Sequence, residues 1–193
     1  MTSAKSIRNL MLAGACALAW SVGFGAHAVA GAQEAPTLTP AQVVKTQTYV
    51  SLEPVPRGKN FEVAVVVDIN AAYHMNSHKP SQTYLIPTTL TPQLPDGITL
   101  VDTIYPPGHT KKFSFSDNPL NVYAGKITLR MKLAAGEKVA LGDTEIPITL
   151  RYQACNSSAC LPPVKIPLKA SLKVVEAGKA AHTVHPEIFS AGR

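Results

Sequence analysis

Two cysteines separated by four residues, Cys155 and Cys160, stand in the stretch RYQACNSSACLPP (151–163). Three chemistries use such a pair. As a disulfide it can staple its own loop. As two thiolates it can supply half of a zinc site. As a redox pair it can exchange with a disulfide of another protein. A staple closing a loop of six residues removes little chain entropy, worth about 2 kcal/mol, and a chain of this length can build a sufficient core without it. Zinc asks for three or four protein ligands. There is no second cysteine pair, and nothing in the sequence brings His74 or His78 to this loop. Exchange needs two sulfurs close enough to bond and open to a third. The small residues Asn156, Ser157, Ser158 and Ala159 would leave them open. Pro162 and Pro163 remove two amide donors just beyond, which protects the edge from strand pairing. No Lys, Arg or His lies between the cysteines, so the thiols are expected to be only modestly acidic and to depend on the partner for exchange. The residues alone leave all three chemistries standing.

The elements that must hold this pair read as strands. The runs 144–154 and 164–175 flank the cysteines and pair as a hairpin, with the sulfurs near its turn. Opposed residues in such a ladder have Cα atoms about 4.5–5.5 Å apart, which a disulfide spans. Further strands are expected at 43–52, 61–69, 84–90, 98–105, 121–133 and 138–141 from their period-two alternation and the turn residues between them. The valine run in 61–69 points to a strand buried on both faces. Pro87 marks 84–90 as an edge or bent strand. With 16 prolines, 12 glycines and no sustained helical stripe, the expected fold is all-β: a single immunoglobulin-like antiparallel β-sandwich over 38–176, followed by a loose tail over 177–193. The Cys–Trp–Cys core of antibody domains is absent.

The first 30 residues read as a secretory signal peptide: Lys5 and Arg8, an apolar run over 10–22, then small-residue cleavage patterns ending at Ala28 and Ala30. An uncleaved anchor is the alternative. Residues 31–37 read as a leader. Export removes Cys16 and leaves Cys155 and Cys160 in an oxidising compartment, where two thiols ordinarily meet as a disulfide. The net charge of +6 falls to +4 without Lys5 and Arg8. The remaining lysines are scattered, which argues against nucleic acid.

Three blocks together resemble the N-terminal periplasmic domain of the thiol:disulfide interchange protein DsbD: YQACNSSACLPPVKIPL (152–168), AAYHMNSHKPSQTYLIPTTL (71–90) and YPPGHTKKFSFSDNPLNVYAGKITL (105–129). The resemblance covers residues 40–175. It implies an immunoglobulin-like sandwich whose cysteine pair takes electrons from a membrane thiol transporter. The pair then passes them to periplasmic thioredoxin-like proteins and disulfide isomerases, including those of cytochrome c maturation. By the same resemblance Cys160 forms the mixed disulfide and Cys155 resolves it, with no cofactor and no metal. It also implies an aromatic cap over the pair, best matched by Phe115, with Phe113 as second choice. Tyr73 and Tyr152 read as core or rim aromatics; Tyr152, Pro162 and Tyr73 are also candidate lining of the cysteine pocket. The 193 residues lack the membrane and thioredoxin-like domains of full-length DsbD, so a monomer acting in trans is expected. A docking module with a structural disulfide is the rival reading. Lys111 and Lys112 stand where some relatives carry acids; they read as a solvated loop or as steering for an acidic partner. His74, Asn76 and His78 read as loop residues bonded to backbone, with a pH switch or copper site as the sharper alternative.

Overall fold

A computed structural model describes residues 38–190. After a 3-10 turn at Pro40–Gln42 come β1 (Val44–Val50), β2 (Leu52–Glu53), β3 (Val55–Pro56), β4 (Asn60–Ile69), β5 (His74–Asn76), β6 (Thr89–Pro92), β7 (Ile98–Ile104), β8 (His109–Lys111), β9 (Leu120–Tyr123), β10 (Lys126–Ala135), β11 (Gly142–Tyr152), β12 (Ala154–Cys155), β13 (Val164–Val175) and β14 (His182–Thr183), then a short helix α1 (Pro186–Phe189).

Two sheets form the sandwich, in the orders β1-β4-β10-β7 and β3-β13-β11-β6. Every ladder is antiparallel except the short β3–β13 pairing. Alternate residues of β4, β10 and β11 meet between the layers: Val63, Val65 and Val67 of β4 and Leu129, Met131 and Leu133 of β10 line one side, Ile146, Ile148 and Leu150 of β11 the other, all buried. Burial of this many branched side chains is the main source of stability. Thr48 also donates to the Lys169 carbonyl at 2.7 Å, tying β1 to β13 across the sandwich edge.

The expected strand over 121–133 is two strands. The chain breaks at Gly125, whose φ of 62° is a conformation that glycine adopts without steric cost. That break moves the chain from a third sheet into the first. The third sheet, in the order β12-β5-β9-β8, holds both the start of the cysteine loop and the segment around His74. His74 and Asn76, expected in a loop, are therefore buried strand residues.

Three further expectations are corrected. Residues 84–88 are irregular and the strand begins at Thr89. Pro87 offers no amide, and Ile86 bonds to side chains rather than to a ladder. No strand forms over 138–141: the chain turns there so that Val139 packs against Gly97, where an added Cβ would lie 2.8 Å from the Val139 backbone. The tail expected to be loose is bound through residue 190. β14 pairs with β2, Phe189 is buried, and its carbonyl accepts from Arg130 Nη1 at 2.8 Å. This segment covers the outer face of the first sheet around Tyr49 and Arg130, which explains why β4 is buried on both sides. Arg130 also pairs there with Glu62, Nη1 to Oε2 at 3.5 Å. The signal over 1–30 and the leader over 31–37 lie outside the described residues.

Candidate functional site: a bonded cysteine pair beside a buried histidine

β11 and β13 pair up to Tyr152 and Val164. Beyond that point β12 leaves its hairpin partner and joins β5, with Ala154 opposite Met75 and Cys155 opposite His74. The loop then folds back on itself. Leu161 N–H donates to the Ala154 carbonyl at 2.8 Å and Asn156 N–H to that of Ala159 at 2.9 Å. Asn156 Oδ1 accepts from the amides of Ser158 and Ala159, an Asx turn that fixes the tip. Cys155 and Cys160 face each other across this turn, Cα atoms 3.9 Å apart, and are joined as a disulfide. Cys155 is 1% exposed. Cys160 is partly exposed, and Ser157, Ser158 and Ala159 beside it are open to solvent.

Strand alternation sorts the side chains of the third sheet. Met75, Tyr123 and Ala154 join the main core. On the opposite face stand Cys155, His74, Asn76, Val122, Leu120, His109 and Lys111, as their registers require. Phe113 and Leu85 roof part of that face and form a second apolar cluster with Leu120 and Val122. The Phe113 ring stands edge-on to the His74 ring, 5.5 Å between centroids. Phe115 lies 5.1 Å from Phe113 on the outside. Between them Ser114 Oγ donates to the Ser157 carbonyl at 2.9 Å, so this segment touches the cysteine loop directly. Lys112 is turned inward on its own loop, donating to the carbonyls of Ser116 and Asp117.

His74 is the titratable neighbour of the pair. Its Nε2 lies 2.8 Å from Lys111 Nζ, and His109 is 6.2 Å away between ring centroids. Burial first, then the charges of Lys111 and His109, hold its pKa below the ordinary histidine value. Gln153 braces the other flank. Its Nε2 donates to the Leu161 carbonyl, and its Oε1 accepts from Asn76 Nδ2 and Ile86 N–H.

Of the residues singled out in the sequence, Cys155 and Cys160 are together, and Phe113 and Phe115 stack on the segment next to them. Phe113 is the ring against the sheet, at 3% exposure, while Phe115 is 38% exposed. Tyr152 and Tyr73 do not line the sulfurs: both point into the sandwich core, and Tyr152 donates its hydroxyl to the Pro40 carbonyl. Pro162 is exposed just past Cys160. His78 faces away, stacked on Tyr105 at 3.6 Å. Sequence reasoning weighed His74 at the cysteine pair only as a metal ligand with nothing to bring it there, read Lys111 as a solvated loop or partner steering, and did not single out Gln153. The usable signal was the buried pattern of AYHMNS, a strand that could lie beside the cysteines.

The layers and their pairing define an immunoglobulin-like β-sandwich carrying a disulfide at a loop tip. The chain belongs to the family described as "Thiol:disulfide interchange protein DsbD, N-terminal", whose sequence profile matches residues 40–169. Its fold is similar to that of the N-terminal periplasmic domain of ScsB from Proteus mirabilis, with a TM-score of 0.52 at 9% identity. That match covers 80% of this chain and 54% of the other, so this chain spans about half of the solved chain. No curated protein matches the sequence. Among the described residues, no helix is long and apolar enough to cross a membrane.

Proposed function

We propose that this chain is a periplasmic relay for thiol–disulfide exchange. It receives electrons from a membrane thiol transporter and delivers them to disulfide-containing proteins, thioredoxin-like proteins and isomerases among them. The observation that carries this reading is the asymmetry of the pair: Cys160 is partly exposed on an open tip, and Cys155 is sealed beneath it. A partner sulfur reaches the exposed atom first. In the reduced protein the Cys160 thiolate attacks the partner's disulfide and one partner sulfur leaves. Cys155 then attacks Cys160, closing the internal disulfide and releasing the second partner thiol. Two electrons and two protons pass to the partner, and no cofactor is needed.

The segment carrying Phe113 and Phe115 serves as the cap. Its contact with the Ser157 carbonyl and its packing on His74 support that role. Phe113 anchors it and the more exposed Phe115 is the ring a docking partner meets. The module works as a monomer, exported by its N-terminal signal. The test is equilibration against glutathione buffers. A potential above about −300 mV supports the relay, because a disulfide well below that value resists the glutathione pool and is a structural clip on a docking module.

A further inference from the structure

We propose that His74 is a positioning residue for exchange: it donates a hydrogen bond to the Cys155 sulfur of the reduced pair and holds it as a thiolate, with Lys111 fixing the ring's tautomer. This rests on the relay reading above and adds to it the group that prepares the resolving sulfur.

His74 is the direct cross-strand partner of Cys155, and both side chains stand on the same face of the third sheet. Cβ atoms of such partners lie about 4.5–5.5 Å apart. The histidine is 9% exposed. An ammonium has only donors, so Lys111 Nζ at 2.8 Å makes Nε2 the acceptor. The one proton of a neutral imidazole then sits on Nδ1. That atom is buried with no hydrogen-bond partner while the cysteines are bonded to each other. A buried N–H without an acceptor is a standing cost, and a disulfide sulfur is too weak an acceptor to relieve it. A thiolate at Cys155 is a strong acceptor at the adjacent position.

The surroundings leave this task to few groups. Burial alone would raise the Cys155 thiol and keep it protonated at neutral pH. β8 supplies the two cationic or titratable groups near His74, Lys111 and His109. β9 supplies no charged residue to this face, and β12 only Cys155. The cap's Lys112 is engaged with its own loop. Lys111 has no ion pair among the described residues, so its charge is free to act through the ring. In the resolving step the thiol proton of Cys155 has already gone to water and Nδ1–H stays on the ring. The Cys155 thiolate attacks Cys160 Sγ, the bond from Cys160 to the partner breaks, and the partner sulfur leaves as a thiolate that takes a proton from solvent.

The test is an NMR titration of reduced protein carrying Cys16→Ser and Cys160→Ser and labelled at cysteine Cβ, in which Cys155 is the one thiol left to titrate. Adding His74→Phe should raise the Cys155 midpoint by about one pH unit or more, a tenfold loss of thiolate at lower pH. His74→Gln, which keeps a donor, should restore much of it, and Lys111→Met should raise it by less than His74→Phe. Equal shifts in His74→Phe and His74→Gln, or a His74→Phe midpoint within about 0.3 unit of its parent, would overturn the proposal. A measurement without substitution stands beside these. The His74 nitrogen shifts of the unaltered protein should report Nδ1–H in both redox states, with that proton moving downfield when the reduced pair ionises; an Nε2–H ring would overturn the proposal as well. Neither titration uses a partner. Loss of exchange with protein disulfides alone would sink the relay reading, and unshifted midpoints with exchange intact would sink this inference alone.

Discussion

At the residue scale, the two phenylalanines beside the cysteine loop differ in what they hold. Phe113 is buried against His74, Leu120 and Val122, whereas Phe115 is over a third exposed. Phe113→Ala should therefore cost about 3 kcal/mol, the low end for a buried ring, and Phe115→Ala less than about 1 kcal/mol. Urea unfolding of the oxidised protein distinguishes them, and equal losses would show that both rings are anchors. The same local chemistry sets a pH dependence. The folded protein holds His74 below its unfolded pKa of 6.5, so as pH falls through 6.5 the unfolded chain binds a proton that the folded chain refuses. The stability contributed by the neutral ring is full above 6.5, declines below it, and levels off beneath the folded pKa. The unfolding free energy of the parent minus that of His74→Phe, both oxidised, should fall as the pH drops from 7 to 5. A gap that is constant from pH 7 to pH 5 would contradict this.

At the element scale, the fold depends on one break and one cover. Gly125 turns the chain from the third sheet to the first at φ 62°, and an added Cβ there meets nothing within 4 Å. Gly125→Ala should thus cost about 1–2 kcal/mol from backbone conformation alone, with no clash and no change in the spectrum of the folded state. The cover is α1. Phe189→Ala should cost about 3 kcal/mol and loosen the outer face of β4, read as faster hydrogen exchange at β1 and β4. Unchanged exchange would show that the tail merely rests on the sheet. The alternation in 61–69 and 164–175 was legible because each strand carries its own apolar period, and the valine run correctly announced burial on both faces. What covered the second face was not legible: Val184, Ile188 and Phe189 are three large apolar residues in a small and polar tail, with no period of their own to say where they dock. The split of 121–133 was missed because Ala124 and Gly125 hardly interrupt a period of two; the turn is set by the positive φ that the third sheet imposes.

At the scale of the whole molecule, the sandwich carries a disulfide between a partly exposed Cys160 and a buried Cys155. The cysteine pair was legible from local spacing, and the 113–115 segment beside it only from the family pattern. His74 was not, because a cross-strand neighbour 81 residues away is set by the pairing of β5 with β12, which no local period reveals. Tyr152 and Tyr73 take the core places first read for them rather than the pocket-lining alternative, because strand alternation turns both rings into the sandwich. The most direct measurement of the central claim is capture of the mixed disulfide. Reduced Cys155→Ser protein is mixed with an oxidised thioredoxin-like protein carrying one accessible disulfide, and the products are mapped by mass spectrometry. The account predicts a covalent adduct through Cys160 that the unaltered protein does not accumulate and Cys160→Ser does not form; absence of any adduct, with the thioredoxin-like protein still oxidised, would contradict it.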